Sequence, residues 1–454
     1  MIKNYSIIGL GKLGASMAAA IAGRGFNVIG VDVNPRAVEA VNAGHAPVQE
    51  TNLEETISVN RERIRATLDY REAVLHSDLS FVIVPTPSDE RGAFSLKYAA
   101  AAFREIGKAL AEKTDYHVIV LTSTVLPGAT RYGLLPILAQ ESGKICGHDF
   151  GLCYSPEFIA LGSVIHDFLH PDFTLVGEYA ERDGQILEEC YAQIMPNKPP
   201  CRRMTLENAE LAKISLNAFV TTKITFANML ADICERVPGG DVDMVTNAIG
   251  LDTRIGRKYL TGAIGYGGPC FPRDNVALGF IARALGTEAA LAETTDRMNQ
   301  SLAGKITERL RPLIQDGTTV AVLGLAYKPY SHVVEESQGV ALANSLADTG
   351  ATVIAYDPLA NESALAQLQS GVKTLGSVAE CLRDADIVVI TTPDPLFRGL
   401  KAGDFGRAKV VVDCWRILDK ELAQHERIQY VPIGRSTDDD ANGASLDALW
   451  RNTT

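Results

Sequence analysis

Several features that would settle the class of this chain at once are missing, and each absence removes a class. No stretch approaches about 18 uninterrupted apolar residues, so nothing reads as a membrane-spanning helix. The opening "MIKNYSIIGLGKLG" has only a short apolar run that passes straight into a glycine turn, which predicts a first strand rather than a signal peptide. The eight cysteines, at 146, 153, 190, 201, 234, 270, 381 and 414, form no C-x-x-C pair and show no regular spacing. Reduced thiols are expected, with no disulfide framework and no metal site. Positive charge is also short: 43 Lys and Arg stand against 55 Asp and Glu, a formal net charge of −12. That balance argues against nucleic acid or a membrane surface as partner. It leaves room for an anionic small ligand, because a few local basic residues reverse the potential inside one cleft.

The 454 residues are 46% apolar and 22% charged, the composition of a soluble globular protein with ample core. That length predicts two or three domains, and a cytoplasmic enzyme or binding protein is the default. Residues 5 to 9, "YSIIG", form an apolar run that meets Gly9-Leu10-Gly11-Lys12-Leu13-Gly14. The small-residue helix "ASMAAAIAGRG" and a second strand "NVIGVD" follow. In this strand-turn-helix-strand context G-x-G-x-x-G is a dinucleotide signature: the glycines allow the turn and the close approach of a pyrophosphate to the helix N-terminus. Asp32 ends the second strand, 18 residues beyond Gly14, where a carboxylate accepts hydrogen bonds from ribose hydroxyls and repels a 2′-phosphate. NAD is therefore expected over NADP; the alternative is a Rossmann half that binds nothing.

Strands "LSFVIVPTP" (79 to 87) and "YHVIVLTSTVLPG" (116 to 128) continue the rhythm and end in Thr, Ser and Pro. Carboxyl ends of parallel strands are where open sheets place ligands, so Thr86 and Thr124 are candidate cleft residues; the other reading of the hydroxyls is helix capping. From Leu206 to about Val237 one long helix is expected, closed by Pro238-Gly239-Gly240, as a spine between domains. A second α/β series begins near residue 318 with "TTVAVLGLAYK", "ATVIAYDP", "DADIVVITTP" and "KVVVDCWRI". It echoes the first half without a full G-x-G-x-x-G, so a related fold holding something other than a dinucleotide is expected. Beyond about Arg435 the polar "STDDDANGAS" is expected to be a mobile tail.

The stretch "GAIGYGGPCFPRDNVAL", residues 262 to 278, sets Cys270 after a run of glycines, between two prolines and four residues before Asp274. Most cysteines are inert core residues, but a glycine-rich loop brings backbone close to a ligand and suggests a reactive thiol. On the long helix, Lys213 and Asn217 stand i, i+4, with Glu210 three residues before Lys213. A solvated face with a Glu–Lys pair is one reading; amid apolar neighbours, donors aimed at developing negative charge is the other.

These segments together resemble the UDP-glucose/GDP-mannose dehydrogenase family, the nucleotide-sugar 6-dehydrogenases. "GLDTRIGRKYLTGAIGYGGPCFPRD" is similar to its nucleophile segment, and "AELAKISLNAFVTTKITFANMLADIC" to its central helix. "GLGKLG", "VPTPSD", "STVLPGAT", "YSPEF" and "LGLAYKP" match its other landmarks, in order, from about residue 3 to 420. The resemblance implies an α/β architecture in three parts: an N-terminal Rossmann NAD domain (1–203), a central helical dimerisation domain carrying the nucleophile loop (204–300), and a C-terminal Rossmann-like domain for the sugar nucleotide (301–454). It implies a homodimer, and oxidation of the C6 primary alcohol of a nucleotide-linked hexose to a carboxylate with two NAD and one water.

The same resemblance assigns roles. Cys270 is the nucleophile that turns the aldehyde into a thiohemiacetal able to give up a second hydride; the thiol needs nearby positive charge or a helix N-terminus, and a helix is expected to start near Asp274. Lys213 and Asn217 stabilise the oxyanions, Asp274 is the acid working with a water, Thr124 helps hold that water, and Glu157 serves the hydrolytic steps. Gly9, Gly11, Lys12, Leu13, Gly14, Asp32, Arg36, Pro85 and Thr86 line the NAD site. Phe158, Tyr259, Gly265, Gly267, Lys328 and Arg416 meet the sugar nucleotide, and Arg254 reaches the neighbouring subunit's site. For Arg254 and Arg416 an ordinary ion pair is the competing reading.

Four positions depart from the family. Arg273 replaces a lysine beside the acid, Ala160-Leu161 follow "SPEFI" without the usual acid, "KPYSHVVEES" loses two acids and carries Glu335 in place of an arginine, and Lys12 stands where tyrosine is frequent. The Cys–Lys–Asn–Asp set is intact, so the departures bear on the sugar and its nucleotide. Two other readings stay open: a two-electron NAD-dependent alcohol or hydroxyacid dehydrogenase, which needs no thiol, and a non-catalytic sugar-nucleotide-binding relative.

Overall fold

The computed structural model describes residues 2–159, 162–418 and 420–451. The chain divides into two compact units, the first ending at Ser215 and the second beginning at Leu216.

The first unit is built on eight strands: β1 (Asn4–Ile8), β2 (Asn27–Val31), β3 (Ile64–Thr67), β4 (Leu79–Val82), β5 (Val118–Leu121), β6 (Gly151–Tyr154), β7 (Thr174–Glu178) and β8 (Cys201–Thr205). Their order is β3-β2-β1-β4-β5-β6-β7-β8, parallel except for the antiparallel β6–β7 pair. The run reverses between β1 and β4, and a doubly wound sheet binds ligands beyond the carboxyl ends of the strands at such a switch point. Both faces of the central strands are covered, which is why β1, β2, β4 and β5 read as near-continuous apolar runs. Tyr5 and Ile7 pack with Met17 and Ile21 on one face, while Ile8 packs with Phe103 and Ile106 on the other. Each fully buried side chain of this size contributes about 1.5–3 kcal/mol.

The second unit holds six parallel strands: β9 (Thr319–Leu323), β10 (Thr352–Tyr356), β11 (Val372–Thr374), β12 (Ile387–Ile390), β13 (Val410–Asp413) and β14 (Gln429–Pro432), in the order β11-β10-β9-β12-β13-β14. Ahead of that sheet lie the helices Val242–Gly250, Phe271–Ala284, Ala290–Gln300 and Leu302–Leu310. The long helix runs from Leu206 to Cys234, 29 residues, about 44 Å. It ends ahead of the expected Pro-Gly-Gly, where Gly239 takes a left-handed φ of 65° and Gly240 N donates to Val237 O. Among the described residues no helix is long and apolar enough to cross a membrane.

The C-terminal stretch departs from expectation. Asp439–Arg451 is a helix rather than a mobile tail. Asp439 and Asp440 lie in its first turn, where they complement the helix dipole, and the Asp438 carboxylate accepts from Ala441 N.

Candidate active site

In the first unit β1 runs into the turn Gly9–Gly14. Gly9 has φ 102°, and its N–H donates to Val31 O at 2.7 Å. A Cβ on Gly9 would overlap Ile83 O, and one on Gly14 would overlap Gly9 O, so backbone contacts make both glycines obligatory. Gly11 differs: nothing lies within 4 Å of where its Cβ would sit. It holds the N-cap position of the Lys12–Gly23 helix, and no side chain caps that end. Lys12 and Leu13 occupy the first turn. The first N–H groups of the helix thus face an open surface, which fits a pyrophosphate. Asp32 accepts from Leu10 N at 2.7 Å and from Asn34 N at 2.8 Å, and as an ionised carboxylate it retains lone pairs for ribose hydroxyls. Arg36 is exposed on the next helix.

Beyond β4 and β5, Pro85 and Thr86 lie beside the Thr124 segment: Thr86 Oγ1 donates to Thr124 O at 2.8 Å, and Ser123 Oγ bridges Val84 N and Val84 O. Glu210 is fully buried and accepts from Gly128 N at 2.5 Å and Thr130 N at 2.8 Å, so it clasps the loop that carries Thr124. The solvated Glu–Lys face is therefore not what forms. Lys213 instead donates to Glu157 O at 2.7 Å and lies 4.5 Å from the centre of the Phe158 ring. Burial raises the Glu157 carboxyl to about 7, with the Lys213 ammonium pulling the other way. Leu161 lies outside the described residues.

In the second unit Cys270 is exposed and holds the N-cap position of Phe271–Ala284. That helix starts earlier than the expected point near Asp274, because Pro272 fits the first turn, where its missing N–H costs nothing. The partial positive charge of the helix end favours an anion at Cys270. Asp274 is buried one turn on and accepts from Asn217 Nδ2 at 2.7 Å; Arg273 Nε stands 3.7 Å from its other oxygen. Asn275, which motif reasoning passed over, ties the same helix to Thr221 and to the Tyr266 hydroxyl.

The other expected substrate residues lie in the second unit too. Tyr259 is exposed with φ 63°, a left-handed conformation costly for an aromatic residue and frequent at functional sites. Gly265 and Gly267 belong to the buried loop before Cys270, where Gly268 N donates to Glu335 O at 2.9 Å. Lys328 Nζ lies 5.6 Å from the Tyr327 ring centre. Arg254 is largely exposed and forks onto Asp252. Arg416 differs from expectation. Its side chain is 1% exposed and bonds Asp243 through Nε and Nη2, Gly262 O at 2.7 Å and Ile433 O at 2.6 Å. With Cys414 O also accepting, at 3.3 Å, every guanidinium edge is spent on protein, so in this conformation Arg416 anchors the start of the glycine loop.

A dinucleotide turn on one Rossmann sheet, a second Rossmann sheet without one, and a cysteine at a helix N-terminus define a class: an NAD-dependent dehydrogenase. Comparison narrows it. Three family models match in order: the NAD binding domain of the UDP-glucose/GDP-mannose dehydrogenase family over residues 3–195, its central domain over 207–301 and its UDP binding domain over 321–420. The chain belongs to that family, and it is an oxidoreductase that uses NAD to oxidise a nucleotide sugar. It is 36% identical over 420 residues to the UDP-glucose 6-dehydrogenase AglM of Haloferax volcanii, covering 91% of this chain and 97% of that one. It is 33% identical over 438 residues to a GDP-mannose 6-dehydrogenase of Pseudomonas putida, covering 93% and 98%. The solved UDP-glucose dehydrogenase of Pyrobaculum islandicum superposes with a TM-score of 0.86 at 34% identity, over 96% of this chain and 98% of that one.

Proposed function

We propose that the chain oxidises the C6 primary alcohol of a nucleotide-linked hexose, UDP-glucose or a close relative, through to the uronate, with Cys270 as nucleophile. The observation that carries this reading is the exposed thiol at a helix N-terminus, one turn from an acid that Asn217 holds. NAD supplies a hydride acceptor for each of two oxidations. Asp274, with a water held by Thr124, takes the hydroxyl proton as the alcohol becomes an aldehyde. The Cys270 thiolate then adds to the aldehyde carbon, giving a tetrahedral carbon that bears hydrogen and an oxyanion, which Lys213 and Asn217 stabilise. Loss of hydride from that carbon leaves a thioester. Glu157 takes a proton from the attacking water, and the carbon–sulfur bond breaks to release the carboxylate and the thiolate.

A UDP sugar is favoured by the match of residues 321–420 to a UDP binding domain and by two UDP-glucose 6-dehydrogenases, 36% and 33% identical to this chain. The three-part division at 203/204 and 300/301 is supported by the bounds of the matched family segments. Phe158, Tyr259, Gly265, Gly267 and Lys328 are assigned to the sugar nucleotide. Eight free cysteines fit a cytoplasmic location. A homodimer is supported by Phe219, Phe226, Met229 and Ile233, apolar and exposed along one stripe of the long helix. Arg254 is assigned to the partner's site; sedimentation of the intact protein as a monomer sinks that part.

The test counts NADH formed per UDP-glucose consumed. Two per sugar are expected, and Cys270→Ser is expected to lower uronate formation by at least about a thousandfold. One NADH per sugar, or uronate formed at the parent's rate without the thiol, rejects the reading.

A further inference from the structure

Asn299, on the helix Ala290–Gln300, carries no role in the chemistry above, yet it is 3% exposed and both ends of its amide are engaged on one residue of the nucleophile loop. Its Oδ1 accepts from Tyr266 N at 2.9 Å, and its Nδ2 donates to Tyr266 O at 2.9 Å. Gln338 Nε2 donates to the same carbonyl at 3.2 Å. The approach is close enough that a Cβ on Gly265 would overlap Asn299 Oδ1, and one on Gly267 would overlap Glu336 O.

This grip fixes more than Tyr266. In a planar trans peptide the C=O and the N–H point in opposite directions. Because Tyr266 N–H faces Asn299, the carbonyl of Gly265 in the same peptide points away from it. Because Tyr266 C=O faces Asn299, the N–H of Gly267 points away as well. Asn299 therefore turns one acceptor and one donor, flanking a single residue, toward the same side. Neither has a protein hydrogen-bond partner among the described residues. One acceptor beside one donor matches a hydroxyl, which both gives and takes a hydrogen bond.

We propose that Asn299 is a positioning residue that sets the Gly265 C=O and Gly267 N–H to grip a hydroxyl-bearing part of the nucleotide sugar. The proposal rests on the reading of Gly265 and Gly267 as substrate contacts. It predicts that a change at Asn299 acts on the sugar and spares the cofactor.

The test is steady-state kinetics of the full-length protein carrying Asn299→Asp, which keeps one acceptor and sets a second oxygen against Tyr266 O. The KM for UDP-glucose is expected to rise about tenfold, the effect of one charge-opposed hydrogen bond, while the KM for NAD stays within about twofold and the thermal midpoint within a few degrees. An unchanged KM for UDP-glucose overturns the proposal. So does a rise in both KM values with a collapsed melting temperature, since a loop that has merely lost its fold does that. Gln338→Met, which removes only the second donor to Tyr266 O, is expected to raise the same KM by a smaller factor. It stands in if Asn299→Asp does not fold, and an unchanged KM in it overturns the proposal. A parent protein that oxidises neither UDP-glucose nor GDP-mannose overturns the substrate reading and this proposal with it; an active parent beside an indifferent Asn299→Asp overturns this proposal alone.

Discussion

The two sheets repeat one set of contacts and use it differently. In the first, Gly9 at the end of β1 has φ 102°, donates to Val31 O, and is touched at its carbonyl by Gly14, while Asp32 closes the next strand. In the second, Gly324 at the end of β9 has φ 112°, donates to Tyr356 O, and is touched at its carbonyl by Gly339, with Asp357 following the next strand. The touching glycines are 5 residues apart in one case and 15 in the other, so a loop has entered the second turn between positions 324 and 339. The longer turn satisfies its polar groups internally. The helix after Gly9 has no side-chain cap, whereas Ser337 caps the helix after the inserted loop. Asp32 accepts two backbone N–H bonds, whereas Asp357, 4% exposed, accepts four, from Leu325, Ala326, Leu359 and Ala360. Sheet order alone does not make a dinucleotide site; an uncapped helix end and a carboxylate with acceptors to spare do.

The sharpest way to break that comparison is to exchange the fates of the two carboxylates. Asp357→Ala leaves four backbone N–H groups without that acceptor, three of them buried, and is expected to cost on the order of 4 kcal/mol of stability, read as a lower melting transition of the second unit. Asp32→Ser is expected to cost little stability, but to raise the KM for NAD about tenfold and to admit NADP, since the repelling charge is gone. Equal melting losses in the two variants, with NAD kinetics unchanged in Asp32→Ser, remove the distinction.

Within the first turn the glycines separate in the same manner. Gly14→Ala drives a Cβ into Gly9 O and is expected to destabilise the fold by about 3 kcal/mol. Gly11→Ala meets no protein atom within 4 Å, so melting is expected to stay put while NAD binding weakens several-fold, because the new methyl fills the pyrophosphate's approach. Titration with NAD beside a melting curve checks both, and a Gly11→Ala protein that binds NAD like the parent counts against the phosphate reading of the turn.

The first turn is legible in the sequence because its three glycines and its acid stand at the spacing that a short loop imposes. The second is only half legible: "VLG" and "YDP" show, but the partner glycine lies 15 residues on, and no local pattern marks Gly339 as its equivalent. The strands read from the sequence are largely buried and carry apolar runs, but β6, "GLCY", and β7, "TLVGE", are buried as well and too short in apolar sequence to show. The edge strands "IRAT" of β3 and "VKT" of β11 mix polar and apolar residues and carry no such run. The site shows the same limit. Cys270, Asp274, Lys213 and Asn217 stand out by residue type and spacing, whereas Glu210 and Asn299 hold the loops through backbone atoms from a distance in sequence that only folding closes. Arg416 stands out as a free base because the sequence does not show Asp243 and Gly262 O meeting it.

The two units also hold one acid each in opposite ways, and pH separates them. In the second unit burial works to raise Asp243, but the Arg416 guanidinium, bonded at both carboxylate oxygens, outweighs it and keeps the carboxyl below its usual range. In the first, burial of Glu157 wins over the Lys213 ammonium, and the carboxyl titrates at about 7 instead of 4.5. A base must be ionised to take a proton from water. The thioester-hydrolysis step is therefore expected to rise about tenfold per pH unit below 7 and to level above it, measured in single turnovers from the aldehyde. The folded-state value lies above the unfolded one, so the folded chain holds this proton more tightly, and stability from this group falls as pH climbs from 4.5 to about 7. Glu157→Gln removes both dependences: hydrolysis becomes slow and flat across this range, and the decline in melting temperature over the same interval shrinks. A variant that keeps the parent's rising limb assigns the proton to another group and removes the hydrolytic role from Glu157.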